Sequence, residues 1–300
     1  MSESVSMTGG VAAHPRRRLV MAVVAAVLLS GCGTSATPDM AGMPDMPGMV
    51  HAHDAGVQAP PEVADAQPGG TGLSGSAGGY SFAAAVTAPD TFTFRITGSD
   101  GRAVTRYQPY ESRLVVLYVI RSDLSGFQLL EPAMREDGAW TARLPALAPG
   151  SYRAFVTFAA PDSSQGTPLR YTLSQPFTVP GRPADTPLPA AATTATADGF
   201  TVTWSGQPAA GASTPVRIGI AKDGKPVPHV ERFLDGYAHL TAFRAGDLAF
   251  TRFLATGKDD AGSLTANAML PASGTWRLFA QFQVDGQVHT AAFTVVVPAR

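Results

Sequence analysis

The residues best suited to chemistry lie close to the N-terminus, where Met40, Met43, Met46 and Met49 recur at every third position and His51 and His53 follow. Asp39, Asp45 and Asp54 are interspersed among them. Thioether sulfur is a soft ligand that suits Cu(I), and imidazole suits Cu(II) or zinc, so this mixture favours copper over hard cations. Pro44 and Pro47 favour a polyproline II chain of three residues per turn, a period that aligns the four sulfurs along one side. The competing reading is a low-complexity spacer in which methionine is tolerated or acts as a sacrificial target for oxidants. Against it, Met134 and Met269 are the only methionines in the remainder of the chain beyond this run.

His239 and His289 form a weaker metal-ligand candidate. Both fall in strand-like sequence, far enough apart along the chain to meet in space, but two histidines alone are an incomplete site. A buried histidine bonded to backbone is the commoner explanation for such residues.

Enzyme signatures are missing: there is no nucleophile elbow, no phosphate-binding glycine loop and no His-Glu-x-x-His helix. Ser74 and Ser76 sit among glycines without the strand-to-helix context of a nucleophile. Glu136-Asp137 and Asp259-Asp260 fall in turn-like sequence, where solvated charge explains them. No catalytic function is expected. The net charge of −1 over 300 residues gives no reason to expect a nucleic-acid partner.

Arg16-Arg17-Arg18 precedes an apolar run from Leu19 to Leu29, which suits a signal-peptide core and is too short to span a bilayer. The run ends in Leu29-Ser30-Gly31-Cys32, which resembles the lipobox of bacterial lipoproteins. That resemblance implies that Cys32 becomes the lipidated first residue of a mature chain anchored to a membrane and facing the extracytoplasmic side. The alternative is an uncleaved anchor with an incidental cysteine. Cys32 is the single cysteine, so no disulfide framework supports the fold.

From Gly33 to Gly79 there is no apolar periodicity, and Pro, Gly, Ala, Asp and Met dominate. Such a composition predicts a disordered tether. Short alternating runs then begin. Phe92, Phe94 and Ile96 form one, and Trp140, Ala142 and Leu144 another. Tyr152, Ala154, Val156 and Phe158 follow, then Phe200, Val202 and Trp204, then Val216, Ile218 and Ile220. Arg113 to Ile120 reads as a central strand buried on both faces. The predicted class is all-β, with two tandem immunoglobulin-like β-sandwich domains after the disordered N-terminal tether. The expected boundaries are a signal peptide over 1–31, a tether over 32–79, one sandwich over 80–180, a proline-rich linker over 181–196 and a second sandwich over 197–300. Each sandwich carries its own alternating faces and is expected to fold separately.

The two blocks repeat each other. Gly150-Ser151-Tyr152-Arg153 matches Gly274-Thr275-Trp276-Arg277, and Asp123-Leu124 matches Asp247-Leu248, both at a spacing of 124. Asp285-Gly286 suits a two-residue type I′ turn. It predicts a hairpin in which Val284 faces Gln287, Phe282 faces His289, Leu278 faces Phe293 and Trp276 faces Val295.

These anchors and the closing hairpin resemble a family of exported, copper-associated or heavy-metal-binding lipoproteins of high-GC bacteria. The resemblance covers most of the chain after Thr91. It implies a His-x-His-Pro motif after each Asp-Leu anchor. Here the corresponding stretches read Leu129-Leu130-Glu131-Pro132 and Phe253-Leu254-Ala255-Thr256, so those histidines are absent, while His239 and His289 match positions the family often keeps. The expected function is a membrane-tethered extracytoplasmic protein that handles a copper ion through its Met/His tether. The alternative is a non-enzymatic envelope interaction or adhesion module with a protein partner and an inert spacer.

Overall fold

The alternating apolar runs become strands because every second side chain of an extended chain points to the same face. A computed structural model of the protein describes residues 63–67, 70–88, 90–160, 167–259 and 262–299. Cys32, Met40, Met43, Met46, Met49, His51 and His53 lie outside the described residues. Residues Gln58–Arg300 belong to one compact unit.

Ten strands build the first half: β1 (Ala64–Asp65), β2 (Ser76–Ala77), β3 (Tyr80–Ala88), β4 (Thr91–Thr97), β5 (Val115–Arg121), β6 (Gln128–Leu130), β7 (Ala133–Met134), β8 (Ala139–Arg143), β9 (Gly150–Ala160) and β10 (Leu169–Val179). They form two five-stranded sheets, ordered β1-β10-β9-β5-β6 and β2-β3-β4-β8-β7. Phe92, Phe94, Ile96, Trp140, Tyr152, Val156 and Phe158 fill the space between them. The second half contains β11 (Thr194–Ala197), β12 (Phe200–Ser205), β13 (Ser213–Lys222), β14 (Lys225–Pro226), β15 (Ala238–Arg244), β16 (Phe250–Lys258), β17 (Leu264–Met269), β18 (Gly274–Val284) and β19 (Gln287–Val297). Here one sheet runs β11-β12-β13-β17-β16-β15-β18-β19 and folds over its own core of Phe200, Val202, Trp204, Ile218, Trp276 and Phe293. The register between β16 and β17 shifts between Ala255 and Gly257, the kind of bulge that bends a sheet.

The connectivity is immunoglobulin-like in both halves. β3-β4-β8 face β6-β5-β9-β10 in the first, as β12-β13-β17 face β16-β15-β18-β19 in the second. Tyr152, near the start of β9, donates its hydroxyl to Ala148 O at 2.8 Å, which is the tyrosine corner of such sandwiches. Trp276 takes the same place in β18 and donates Nε1 to Ala272 O at 3.0 Å. The hairpin from β18 to β19 has the register expected from Asp285-Gly286, with Val284 opposite Gln287 and Phe282 opposite His289.

The tether expectation is corrected at its C-terminal end. Ala64 and Asp65 pair in parallel with Leu169 and Arg170, and Ser76 and Ala77 pair with β3. Glycine-rich composition signals either flexibility or close backbone approach, and in residues 70–79 it serves approach. A Cβ on Gly78 would lie 2.5 Å from Tyr171 Cε1, and its φ is +56°. Gly78→Ala should therefore cost about 2 kcal/mol, from a left-handed alanine plus displacement of a buried ring. Urea unfolding measures this, and a loss under about 0.5 kcal/mol would contradict the close approach.

Candidate functional site

Every residue of β5 is buried, but the strand begins at Val115, so Arg113 and Leu114 of the expected run fall outside it, Leu114 being exposed, and its two faces meet different partners. Val115, Leu117 and Val119 enter the first sandwich. Val116, Tyr118 and Ile120 join Leu124 and Phe155 in a third cluster with Phe243, Phe250 and Phe279 of the second half. The two sandwiches are thus packed back to back through corresponding sheets. Phe155 stacks on Phe250 at 5.0 Å between centroids, and Phe127 stacks on Phe279 at 4.2 Å. Excised alone, either half would expose this aromatic face to water.

Aligning β5 with β15 end to end places Val116, Tyr118 and Ile120 in the positions of His239, Thr241 and Phe243. The seam is therefore built from one surface used twice, with a polar set at one end. A two-residue turn precedes each strand. Tyr110 and Arg113 exchange backbone hydrogen bonds across Glu111-Ser112, and Phe233 and Gly236 do so across Leu234-Asp235. All four central residues have positive φ without being glycine, with Glu111 at 53° and Ser112 at 58°. Ser112 donates its hydroxyl to Asp235, joining the two turns. Holding Glu111 in a left-handed conformation costs about 1 kcal/mol, and the contacts its side chain makes across the seam sustain it.

Glu111 is buried and paired with buried Arg252 of β16. Arg252 also donates to Tyr110 Oη, and its guanidinium carbon lies 4.7 Å from the centre of that ring. Arg170 donates to the same hydroxyl at 2.9 Å and pairs with Asp65. His239 Nε2 stands 3.3 Å from Tyr118 Oη and 3.4 Å from Glu111 Oε2, while Nδ1 is 3.3 Å from Thr241 Oγ1. The carboxylate beside Nε2 favours the ring proton there, so that Nδ1 accepts from the Thr241 hydroxyl.

Burial alone would raise the Glu111 carboxyl, but the Arg252 guanidinium and the contact with His239 outweigh it and hold the group at about 2. Burial pushes the His239 imidazole below its ordinary value despite the carboxylate beside it, because Arg252 already neutralises that charge. Burial also drives the Tyr118 hydroxyl upward. At neutral pH the set is a carboxylate–guanidinium pair beside a neutral imidazole and a neutral phenol. The side chains of Glu111, Arg252, His239 and Tyr118 are all buried, so the arrangement can hold the two halves in register.

The structure does not bring His239 and His289 together. His239 faces the seam, whereas His289 lies on the other face of the same sheet, against Phe200 and Phe282, with Nδ1 2.9 Å from Asp198 Oδ2. Among the described residues, no group of three or more His, Cys, Asp or Glu side chains is placed to hold a metal ion. The Asp-Leu anchors prove to be turn devices. Asp123 accepts from Ser125 N, from Arg121 and from Thr186 N, the last on the connection between sandwiches, and Asp247 accepts from Ala249 N and Arg244. Leu124 and Leu248 follow them at φ 66° and 61°. Glu111, Tyr118, Arg170 and Arg252 carry no motif. The available signal was a charged residue, Arg252, immediately before the apolar Phe253-Leu254-Ala255, which pattern reading passes over.

Residues 195–299 match a sequence family described as a domain of unknown function (DUF8832), a span that coincides closely with β11 to β19. No curated protein matches the chain. Among solved structures, the BSP domain of a biofilm-associated protein is similar at 13% identity, over 80% of this chain and 30% of that one, with a TM-score of 0.18. A pullulanase from Anoxybacillus sp. is similar at 11% identity, over 69% of this chain and 24% of that one, with a TM-score of 0.19. A marsupial T cell receptor is similar at 8% identity, over 73% of this chain and 96% of that one, with a TM-score of 0.17. The chain thus spans less than a third of the first two, and TM-scores at this level define neither fold nor function.

Proposed function

We propose that this chain is a non-catalytic lipoprotein, anchored through Cys32 on the extracytoplasmic side of a membrane, which binds copper through Met40, Met43, Met46, Met49, His51 and His53. In this reading the paired sandwiches are a rigid head. The observation that carries it is the soft-ligand spacing of the Met/His run, set beside a folded part whose candidate histidines are each engaged by protein groups.

Titration of the full chain with Cu(I) and Cu(II) tests it. Replacing the four methionines with leucine keeps apolar bulk and removes sulfur, so Cu(I) binding should be lost while Cu(II) binding through His51 and His53 persists. Alanine at both histidines should do the reverse. Mild acidification should weaken the Cu(II) site and spare the Cu(I) site, since a thioether has no proton to lose. Cys32→Ser should release the protein from membranes. Unchanged Cu(I) affinity in the leucine variant would remove the copper reading. The interaction-module reading would then stand, supported by Val288 and Val296 on β19, which are 43% and 59% exposed.

A further inference from the structure

The chain enters the folded unit along the seam. Residues 63–67 and 70–76 form a strap. Ala64 N donates to Pro168 O at 3.1 Å, Ala66 N to Arg170 O at 2.9 Å, and Ser74 O accepts from Ser174 N at 2.8 Å, all on the β10 side of the first sandwich. Between these anchors Thr71 O accepts from Phe250 N of β16 at 2.8 Å, so the same strap is bonded to the second sandwich. Leu73 packs on the aromatic cluster of the seam, and its carbonyl accepts from Arg153 Nη1 at 3.2 Å.

The strap also completes the polar set. Asp65 neutralises Arg170, which shares the Tyr110 ring with Arg252 at 5.6 and 4.7 Å from the ring centre. A small polar cavity lies between strap and seam, lined by Asp65, Gln67, Arg170, Thr172 and Arg252. Lifting the strap removes the carboxylate that pairs with Arg170 and uncovers the seam cluster. The attachment at β1 is only two residues long, the kind of element that opens locally before the core does.

We propose that residues 63–67 and 70–76 are a releasable strap that locks the two sandwiches back to back, and that its detachment frees them to hinge about the proline-rich connection at residues 180–193. Any pull on the chain preceding Val63 reaches the strap first. The device is independent of whether copper binds.

His239 supplies the probe, since it is fully buried in the seam and cannot meet a modifying reagent until the halves part. Full-length protein carrying Asp65→Lys, and separately Leu73→Ser, is compared with the parent for the rate at which diethyl pyrocarbonate modifies each histidine. Hydrogen exchange at Ser174 and Phe250 is followed in parallel. Both variants should speed modification of His239 by about tenfold and loosen both amides, with His289 unchanged. Asp65→Asn, which removes charge without reversing it, should give a smaller change in the same direction. Loss of protection at Ser174 and Phe250 with His239 unchanged would show that strap and seam are uncoupled. Equal acceleration at His239 and His289 would mean global unfolding and would equally overturn the proposal.

Discussion

Arg252→Met should destabilise the folded unit by about 3–5 kcal/mol, because it leaves a carboxylate buried without its countercharge. The side chains of Arg252 and Glu111 are only 4% and 3% exposed, so water cannot take over the lost interaction. Glu111→Leu combined with Arg252→Met should recover much of the loss, since replacing both partners of a buried pair by apolar groups removes the desolvation penalty along with the attraction. The arginine also packs on Tyr110, so full recovery is not expected. Urea unfolding of the parent, both single variants and the double variant measures the coupling. A cost below about 1 kcal/mol for Arg252→Met would show that the pair is not desolvated as described.

Acidification should destabilise the protein in two separable stages. The folded imidazole of His239 is depressed below its ordinary 6.5, so as pH falls through 6.5 the unfolded chain takes up a proton that the folded chain refuses. The neutral histidine's contribution is therefore present above 6.5 and lost below it. Glu111 behaves in the same sense at lower pH, since its folded value is about 2 against an ordinary 4.5. Its contribution is complete above 4.5 and disappears as pH falls toward 2, a loss of roughly 3 kcal/mol. His239→Val, which installs the residue found at the corresponding position of β5, should abolish the first stage and leave the second. Unfolding free energies measured from pH 7.5 to 3 distinguish the two. Stability that is flat from pH 7 to 5 in the parent, or equally pH-dependent in His239→Val, would contradict a neutral buried imidazole.

The sandwiches were legible because their determinants are local. Phe92, Phe94 and Ile96, or Phe200, Val202 and Trp204, carry in a few adjacent residues the period that makes a half-buried strand, and all six side chains are buried. The Asp285-Gly286 turn fixed a hairpin register from two residues. The matching offsets of Asp123 with Asp247 and Gly150 with Gly274 identified corresponding turns and β9 with β18. The equivalence of β5 and β15 was hidden, because one extra residue between β15 and Asp247 shifts their register by one.

The seam was not legible. A continuous run such as Val115 to Ile120 announces burial on both faces without saying what covers the second, because that surface is supplied by residues more than a hundred positions away. Glu111 and Arg252 become a pair only when two turns and two sheets meet, and no spacing records it. Residues 70–79 have the composition of a flexible linker, yet Gly78 admits the ring of Tyr171. By itself the sequence determined strands β4, β5, β8, β9, β12 and β13, the sandwich class, the closing hairpin and the soft-ligand character of the Met/His run, since each rests on side-chain chemistry or periodicity within a short window. Only the tertiary structure decided that the sandwiches lock together, that His239 and His289 point to opposite faces, and that the chain leading into the fold straps the seam. Those outcomes depend on which surfaces exclude water from one another, and that is a property of chain segments brought together from far apart in sequence.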